Sequence, residues 1–155
     1  MPGIDTRLTR DMVAKLPEEE LFWALMAPAW DGPGTGTRGQ RALACVTYLI
    51  RDVDNGGLEQ AIWNRDKEQL DEVHQALVVL GADEHAQLLR RAEEALLGPR
   101  PPAGLEARRD LIDRYTREWL DEHLEPLNHE FYGEERLYPS FRDYIAQNPG
   151  EFFRS

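Results

Sequence analysis

The sequence predicts an all-α fold, a compact single-domain bundle of about six to eight helices over residues 1–155. Apolar residues recur at helical spacing in several segments, whereas the alternating pattern of a strand is nearly absent. Hydrophobic residues make up 41% of the 155 residues, which is enough to fill a core. Cys45 is the only cysteine, so no disulfide within the chain contributes. We therefore expect the packing of helices to hold the fold.

The first third of the chain predicts two helices separated by a loop. Pro17 suits a helix start, and the acidic residues behind it favour a helix over about 18–27. The glycine-rich segment 31–39 predicts a loop. The apolar run from Arg38 to about Val53 then predicts a buried helix.

Two further helices are expected from their start signals and apolar faces. Asp66 and Gln69 have the spacing of a capping box for a helix over 66–80, which Gly81 ends. Asp83 is expected to cap the next helix. The core positions predicted for the two helices are Leu70, Val73, Leu77, Leu80, Ala86, Leu89, Ala92 and Leu96.

The last third predicts one long helix and one shorter helix. The segment 98–104, GPRPPAG, breaks the chain, and a long helix is expected over about 105–124. Pro139 marks the start of a final helix. The apolar positions expected to be buried are Ile112, Tyr115, Trp119, Leu120, Leu137, Phe141, Tyr144 and Ile145.

A corner is predicted where the helix after Arg38 stops. Asparagine and glycine tolerate left-handed backbone angles, so a second short helix can leave at a new angle from Leu58. Gln60 and Asn64 are four residues apart and share a helical face. Two interpretations stay open: these side chains lock the corner, or they line a small polar recess. The candidate residues are Asn55, Gly56, Gly57, Gln60, Trp63 and Asn64.

Charge suggests a second candidate site. The chain has 29 acidic and 18 basic residues, a formal net charge of −11. Such a chain repels nucleic acid and attracts basic partners. Seven acids and no lysine or arginine lie between 118 and 135, and we expect them to form a partner-binding surface: Glu118, Asp121, Glu122, Glu125, Glu130, Glu134 and Glu135. The alternative is a solvated helix face.

Four arginines lie at or just upstream of the start of this acidic segment. They could pair along the helix with acids four residues away, which would reduce the exposed negative charge. The arginines are Arg108, Arg109, Arg114 and Arg117, and the acids are Asp110, Asp113, Glu118 and Asp121.

The run VDNGGLEQAIWN at 53–64 resembles V-x-N-G-G-F-x-Q-x-x-x-N, the signature of a bacterial family of DMP-type DNA-mimic proteins. The similarity continues in VLGADEHAQLLRRA at 79–92 and in LNHEFYGEERLYPSFRDYIAQNPGEFF at the end of the chain. It covers about 40–153 and leaves 1–37 as a helical extension. Leu58 departs from the pattern, because the family usually has an aromatic residue there.

The resemblance implies an all-helical protein that is compatible with a homodimer. It also implies acidic side chains that imitate duplex phosphates and occupy the DNA-binding face of a transcription factor. Duplex DNA presents one charge per ~1.7 Å of axis, so a dense row of acids is the property to look for.

Enzymatic and metal chemistry find little support in the sequence. The loop 34–39 reads GTGTRG, but no strand precedes it, so it does not predict a dinucleotide site. His74 is expected at a helix seam, whereas His85, His123 and His129 are expected at the surface without metal-ligand spacing. We expect no enzyme, no cofactor and no metal.

The primary hypothesis is a non-enzymatic acidic module that binds a basic protein such as a DNA-binding transcription factor, and that binds no nucleic acid directly. One alternative is an immunity or antitoxin-like protein that neutralises a basic toxin. A second alternative is a small-ligand pocket at the Asn-Gly-Gly corner. The segment 1–13 has no apolar signal core and no run is long enough to span a membrane, so a cytoplasmic location is expected.

Overall fold

The chain is built from α-helices, as the apolar periodicity predicts. A computed structural model describes residues 5–31, 35–132 and 136–155. The α-helices in these ranges are α1 Arg10–Val13, α2 Glu18–Met26, α3 Arg38–Trp63, α4 Lys67–Val79, α5 Asp83–Leu97, α6 Leu105–Ile112, α7 Arg117–His123, α8 Glu125–Phe131 and α9 Tyr138–Gln147. Short 3₁₀ helices cover Ala27–Asp31 and Pro149–Glu151. The all-α prediction is confirmed, and none of the helices in these ranges is long and apolar enough to cross a membrane.

Helix α3 is the centre of the fold. It packs against α2, α4, α5, α6, α8 and α9. Its start is fixed by a capping box, in which the Thr37 hydroxyl accepts from the Gln40 backbone and the Gln40 side chain accepts from the Thr37 backbone. The buried residues of all these helices form one hydrophobic cluster. Its fully buried leucines include Leu25, Leu43, Leu49, Leu58, Leu70, Leu77 and Leu89.

The start of α4 is confirmed, whereas the expected cap of α5 is wrong. Gln69 N donates to Asp66 Oδ1 over 2.8 Å, and Asp66 N donates to Gln69 Oε1 over 3.0 Å. Before α5, Gly81 has φ 73° and Ala82 N donates to Leu77 O, which closes the preceding turn through the backbone. Asp83 is therefore already the first helical residue, and its side chain caps nothing.

The long helix expected over 105–124 is wrong, because the chain breaks between α6 and α7. Thr116 has an extended backbone, and its hydroxyl accepts from Trp119 N over 3.1 Å. A threonine that caps a new helix competes with continuation of the old one. Tyr115 and Trp119, which were expected to be buried, pack against the core but are only partly buried. The acids from Glu118 to Glu130 are divided between the two short helices α7 and α8.

Two polar side chains are buried where the sequence suggested exposure or local pairing. His85 is buried and meets the Phe131 ring edge to face, with centroids 4.8 Å apart, so its expected surface position is wrong. Arg108 is fully buried; it donates to Pro102 O and lies 3.6 Å from Glu93 on α5. His74 lies at the α4–α5 seam, as predicted, 3.1 Å from the other oxygen of Glu93.

Candidate functional site

The Asn-Gly-Gly corner is a kink inside α3. Gly56 has φ −155° and ψ 15°, and Gly57 has φ 81° and ψ −178°, so neither continues the helix. A Cβ atom on Gly57 would lie 2.6 Å from Glu59 Oε2 and 2.7 Å from Asn128 Nδ2. Position 57 therefore requires glycine for its backbone angle and for its surroundings.

Asn128, on α8, closes this kink. The break leaves Leu58 N without a partner in its own helix, and Asn128 Oδ1 accepts from it over 2.7 Å. The Asn128 amide nitrogen faces Glu59 Oε2 at 3.5 Å and Glu125 Oε2 at 3.3 Å. Only 2% of Asn128 is exposed. One buried amide thus joins the corner to the acidic segment.

Asn128 was not singled out in the sequence, although its position carries a signal. Leu127 and Phe131 are buried on one face of α8, Leu124 is buried at its N-cap, and Asn128 occupies the same face. A polar residue at a core position must be hydrogen-bonded, so the pattern predicts a partner for it. The pattern does not say which backbone group that partner is.

The corner and the acidic helices meet at a recess of about 370 Å³, which we call the acidic recess. Its charged lining comprises four carboxylates and one guanidinium, from Asp54, Glu59, Asp121, Glu125 and Arg117. Asn55, Gly56, Gly57, Asn128 and Tyr132 complete it. Residues from both sequence-derived candidate sites therefore lie in one place.

Arg117 lies in this recess and bridges two of its acids. Its Nη2 is 3.1 Å from Glu59 Oε1, and its Nε is 3.2 Å from Asp121 Oδ1. The hydrogen bond to Glu59 raises the pKa of the Arg117 guanidinium, and the nearby carboxylates raise it further. The Arg117 side chain is 66% exposed, whereas that of Glu59 is 13% exposed. The pairing with Asp121 was expected from the sequence; the longer-range pairing with Glu59 was not.

The pKa of Tyr132, whose phenol lines the recess, shows the effect of the negative charge there. Burial raises the pKa of Tyr132, and the carboxylates of Glu125, Glu59 and Asp54 raise it further. Negative charges oppose the formation of another one nearby. The recess is therefore electrostatically suited to a cation.

The remaining residues of the corner make their contacts outside the acidic recess. The Gln60 amide donates to Asn64 Oδ1 over 3.0 Å, which satisfies the predicted i, i+4 pair. Trp63 Nε1 donates to Asp113 Oδ1, and the Arg109 guanidinium stacks on the Trp63 ring at 3.8 Å. None of Gln60, Trp63 and Asn64 lines the acidic recess.

The acidic segment itself is solvent-exposed on two helices. Glu118, Asp121 and Glu122 lie on α7, and Glu125 and Glu130 lie on α8; all five are exposed. Glu134 and Glu135 lie outside the described residues. Arg136 donates to the backbone oxygen of Glu130. We call these five exposed acids together the acidic face; two of them, Asp121 and Glu125, also line the acidic recess.

An aromatic ladder holds α7, a helix without a fully buried residue. Tyr115 stacks on Trp119 at 3.9 Å between centroids, and Trp119 meets His123 at 4.5 Å. The Tyr115 hydroxyl lies 2.9 Å from Leu96 O and 3.2 Å from Ala95 O at the end of α5. These contacts position α7 while its acids remain in solvent.

The structure also describes most of the other residues that the sequence raised as candidates for chemistry. Among the described residues, no group of three or more histidine, cysteine or acidic side chains could hold a metal ion. Cys45 is half-buried, and burial raises its pKa to about 11, which is typical of an unreactive thiol. Gly34 lies outside the described residues, and the segment after it leads into the capping box of α3.

Comparison with known proteins places the chain in a family. The family model described as DMP19-like protein matches residues 35–148, which include the kink, the acidic recess and the described acidic face. No curated protein and no solved structure matches the chain significantly. The matched region covers well over half of the 155 residues. The chain belongs to the DMP19-like protein family.

Proposed function

We propose that this protein is a non-enzymatic DNA-mimic module whose acidic face occupies the DNA-binding surface of a basic regulator. The observation that carries the proposal is the joining of the acidic face to the acidic recess. Two of the exposed carboxylates on α7 and α8, Asp121 and Glu125, also line a concave site with Asp54 and Glu59. Arg117 lies in this site and pairs with Glu59 and Asp121. Membership of the DMP19-like family supports the DNA-mimic class.

Charge and shape support a protein partner that normally contacts phosphates. DNA-binding surfaces present arginine and lysine side chains, and carboxylates can accept from them in place of phosphate oxygens. The recess matches such a side chain because Arg117 already makes the corresponding pairs within the chain. Exposed charges also steer a basic partner over a distance of about 8–10 Å at physiological salt.

The rigidity of the surface supports binding as well. Asn128 ties the kink to α8, and the ladder from Tyr115 to His123 positions α7. A pre-organised surface loses less conformational entropy on association than a flexible one. A second copy of the chain would lengthen the row of carboxylates beyond one protomer.

The test is affinity capture from a lysate of the source cell with three forms of the tagged protein. The first form is wild type, and the second carries Asp121→Asn, Glu122→Gln and Glu125→Gln. The third is a matched control, Glu68→Gln, Glu84→Gln and Glu94→Gln, which removes three exposed acids from α4 and α5. We expect wild type and control to retain a DNA-binding protein that duplex DNA or high salt releases, and the second form to lose it.

The outcomes separate the candidate functions. Retention of a basic toxin that duplex DNA does not release would favour the immunity or antitoxin-like function on the same acids. Retention of the same partner by all three forms would contradict the acidic face as the binding surface. Circular dichroism and thermal melting check that the variants remain folded.

A further inference from the structure

A groove of about 520 Å³ lies between the first half of α3 and α4, on residues that the proposed function does not use. Its apolar lining is made of small side chains, including Ala42, Ala44, Cys45, Ala76 and Val79. Small side chains at a helix–helix contact leave space that larger ones would fill. The volume is within the ~300–1,000 Å³ range of ligand sites in proteins.

The groove has opposite charges at its two ends. Arg38 and Arg41, on the first turn of α3, line one end. Glu72, with Cys45 and Tyr48, also lines an adjoining hollow that Arg38 and Arg41 do not reach. The cation of that hollow, Arg65, is paired with Asp52 at 2.6 Å. Glu72 therefore lies toward the end away from the two arginines.

Contacts between aromatic rings hold the wall of the groove at Tyr48 in place. Tyr48 is 48% exposed and packs against the Trp30 ring at 3.7 Å between centroids. Trp30 in turn stacks on Trp23, and the Arg51 guanidinium lies over the Trp23 ring at 4.5 Å. Tyr48 follows Arg41 by seven positions along the helix, a distance of roughly 10 Å along the axis.

We propose that this groove binds a small amphipathic carboxylate, with the carboxylate at Arg38 and Arg41 and the apolar body directed toward Tyr48. A guanidinium presents paired N–H groups that match the two oxygens of a carboxylate. The alanine and cysteine floor accommodates an apolar chain, and the roughly 10 Å length corresponds to a medium chain. Glu72 disfavours the reversed orientation and a second negative charge at the far end.

The test is calorimetric titration of the 155-residue protein with octanoate and with octanol, its uncharged counterpart. We expect wild type to bind one octanoate at least tenfold more tightly than octanol. In the Arg38→Gln/Arg41→Gln variant, the affinity for octanoate should fall to that for octanol. The matched control is Arg90→Gln/Arg91→Gln, which removes two exposed charges from α5 and should bind as wild type does.

Cys45 offers an independent readout because it is the only cysteine and lines the groove. Its alkylation can be followed by mass spectrometry at pH 9, where the raised pKa still leaves a small thiolate fraction. Saturating octanoate should slow this alkylation in wild type but not in the Arg38→Gln/Arg41→Gln variant.

Three results would overturn the assignment. Octanoate could fail to give saturable binding or protection of Cys45, octanol could bind as tightly as octanoate, or the Arg38→Gln/Arg41→Gln variant could retain wild-type affinity. Thermal melting of each variant establishes that a loss of binding is not a loss of fold. Tyr48→Ala, which shortens an exposed wall, provides a second variant that should weaken octanoate and octanol equally.

Discussion

The kink at Gly56–Gly57 and the acidic helices α7 and α8 meet at one recess, yet they are stabilised in different ways. The kink is held by a left-handed glycine and by a buried amide that accepts from Leu58 N. Helix α7 has no fully buried residue and depends on a partly exposed aromatic ladder. Substitution at the kink should therefore change stability, whereas substitution on the acidic face should change binding.

The largest effect is expected for Gly57→Ala. An alanine at φ 81° is strained, and its Cβ would lie 2.6 Å from Glu59 Oε2 and 2.7 Å from Asn128 Nδ2. We expect the free energy of unfolding to fall by about 3 kcal/mol. Urea denaturation measures it. The matched control is Gly81→Ala, which has φ 73° but open space around its Cβ, and should cost only about 1 kcal/mol. Equal losses would mean that the contacts at the kink contribute nothing beyond the backbone angle.

The second largest effect is expected for Asn128→Ala. The substitution leaves Leu58 N buried without an acceptor, which should lower the free energy of unfolding by about 2 kcal/mol. His129→Ala, at the exposed neighbouring position, should change it little. Chemical denaturation of both variants tests this, and the prediction fails if the two are equally stable.

A smaller effect is expected from the titration of His85, which lies against Phe131 of α8. Burial lowers the pKa of His85 in the folded protein, and the nearby Arg136 lowers it further. The unfolded chain then binds a proton more readily, so stability is full above the unfolded pKa of about 6.5 and is lost as the pH falls below it. Relative to that of His85→Gln, the free energy of unfolding of wild type should fall by at most about 1.4 kcal/mol for each unit by which the pH is lowered.

Thermal or urea denaturation at pH 7.5, 6.5 and 5.5 measures this difference. His129→Gln, at an exposed position, is the control and should follow wild type. Parallel pH profiles for wild type and His85→Gln would show that burial of His85 does not affect the stability.

The smallest effect on stability is expected for Arg117→Gln. Its pairs with Glu59 and Asp121 involve a side chain that is 66% exposed, so their loss should cost less than about 1 kcal/mol. On the proposed function, removal of this internal cation should raise the affinity for a basic partner by about threefold. Arg114→Gln changes the net charge equally and should have a smaller effect on affinity. A lower affinity after Arg117→Gln would mean that the partner does not use the acidic recess.

Local signals predicted most of the fold, because helix starts and apolar faces are encoded within a few residues. The Asp66–Gln69 capping box and the buried faces of α4 and α5 follow from spacing alone. The break between α6 and α7 was not predicted, because the apolar pattern continues across Thr116 although this residue caps a new helix. The prediction that Asp83 caps α5 was also wrong, because backbone hydrogen bonds around Gly81 close the turn before this helix.

The candidate site was predicted in two halves but not as one place. Glycines marked the kink, and charge marked the acidic segment. The contact between them depends on Asn128 and Glu59, which are 69 residues apart in sequence. No local pattern encodes such a pairing, and the same holds for the burial of Arg108 beside Glu93.

The most direct test of the DNA-mimic function is hydrogen–deuterium exchange of the protein, free and bound to the DNA-binding protein that it captures. We expect slower exchange on binding at the amides of α7, α8 and residues 54–59, and unchanged exchange along the first half of α3 and α4. Duplex DNA should reverse the protection. Protection confined to other helices, or protection that duplex DNA leaves intact, would contradict a DNA-mimic acidic face.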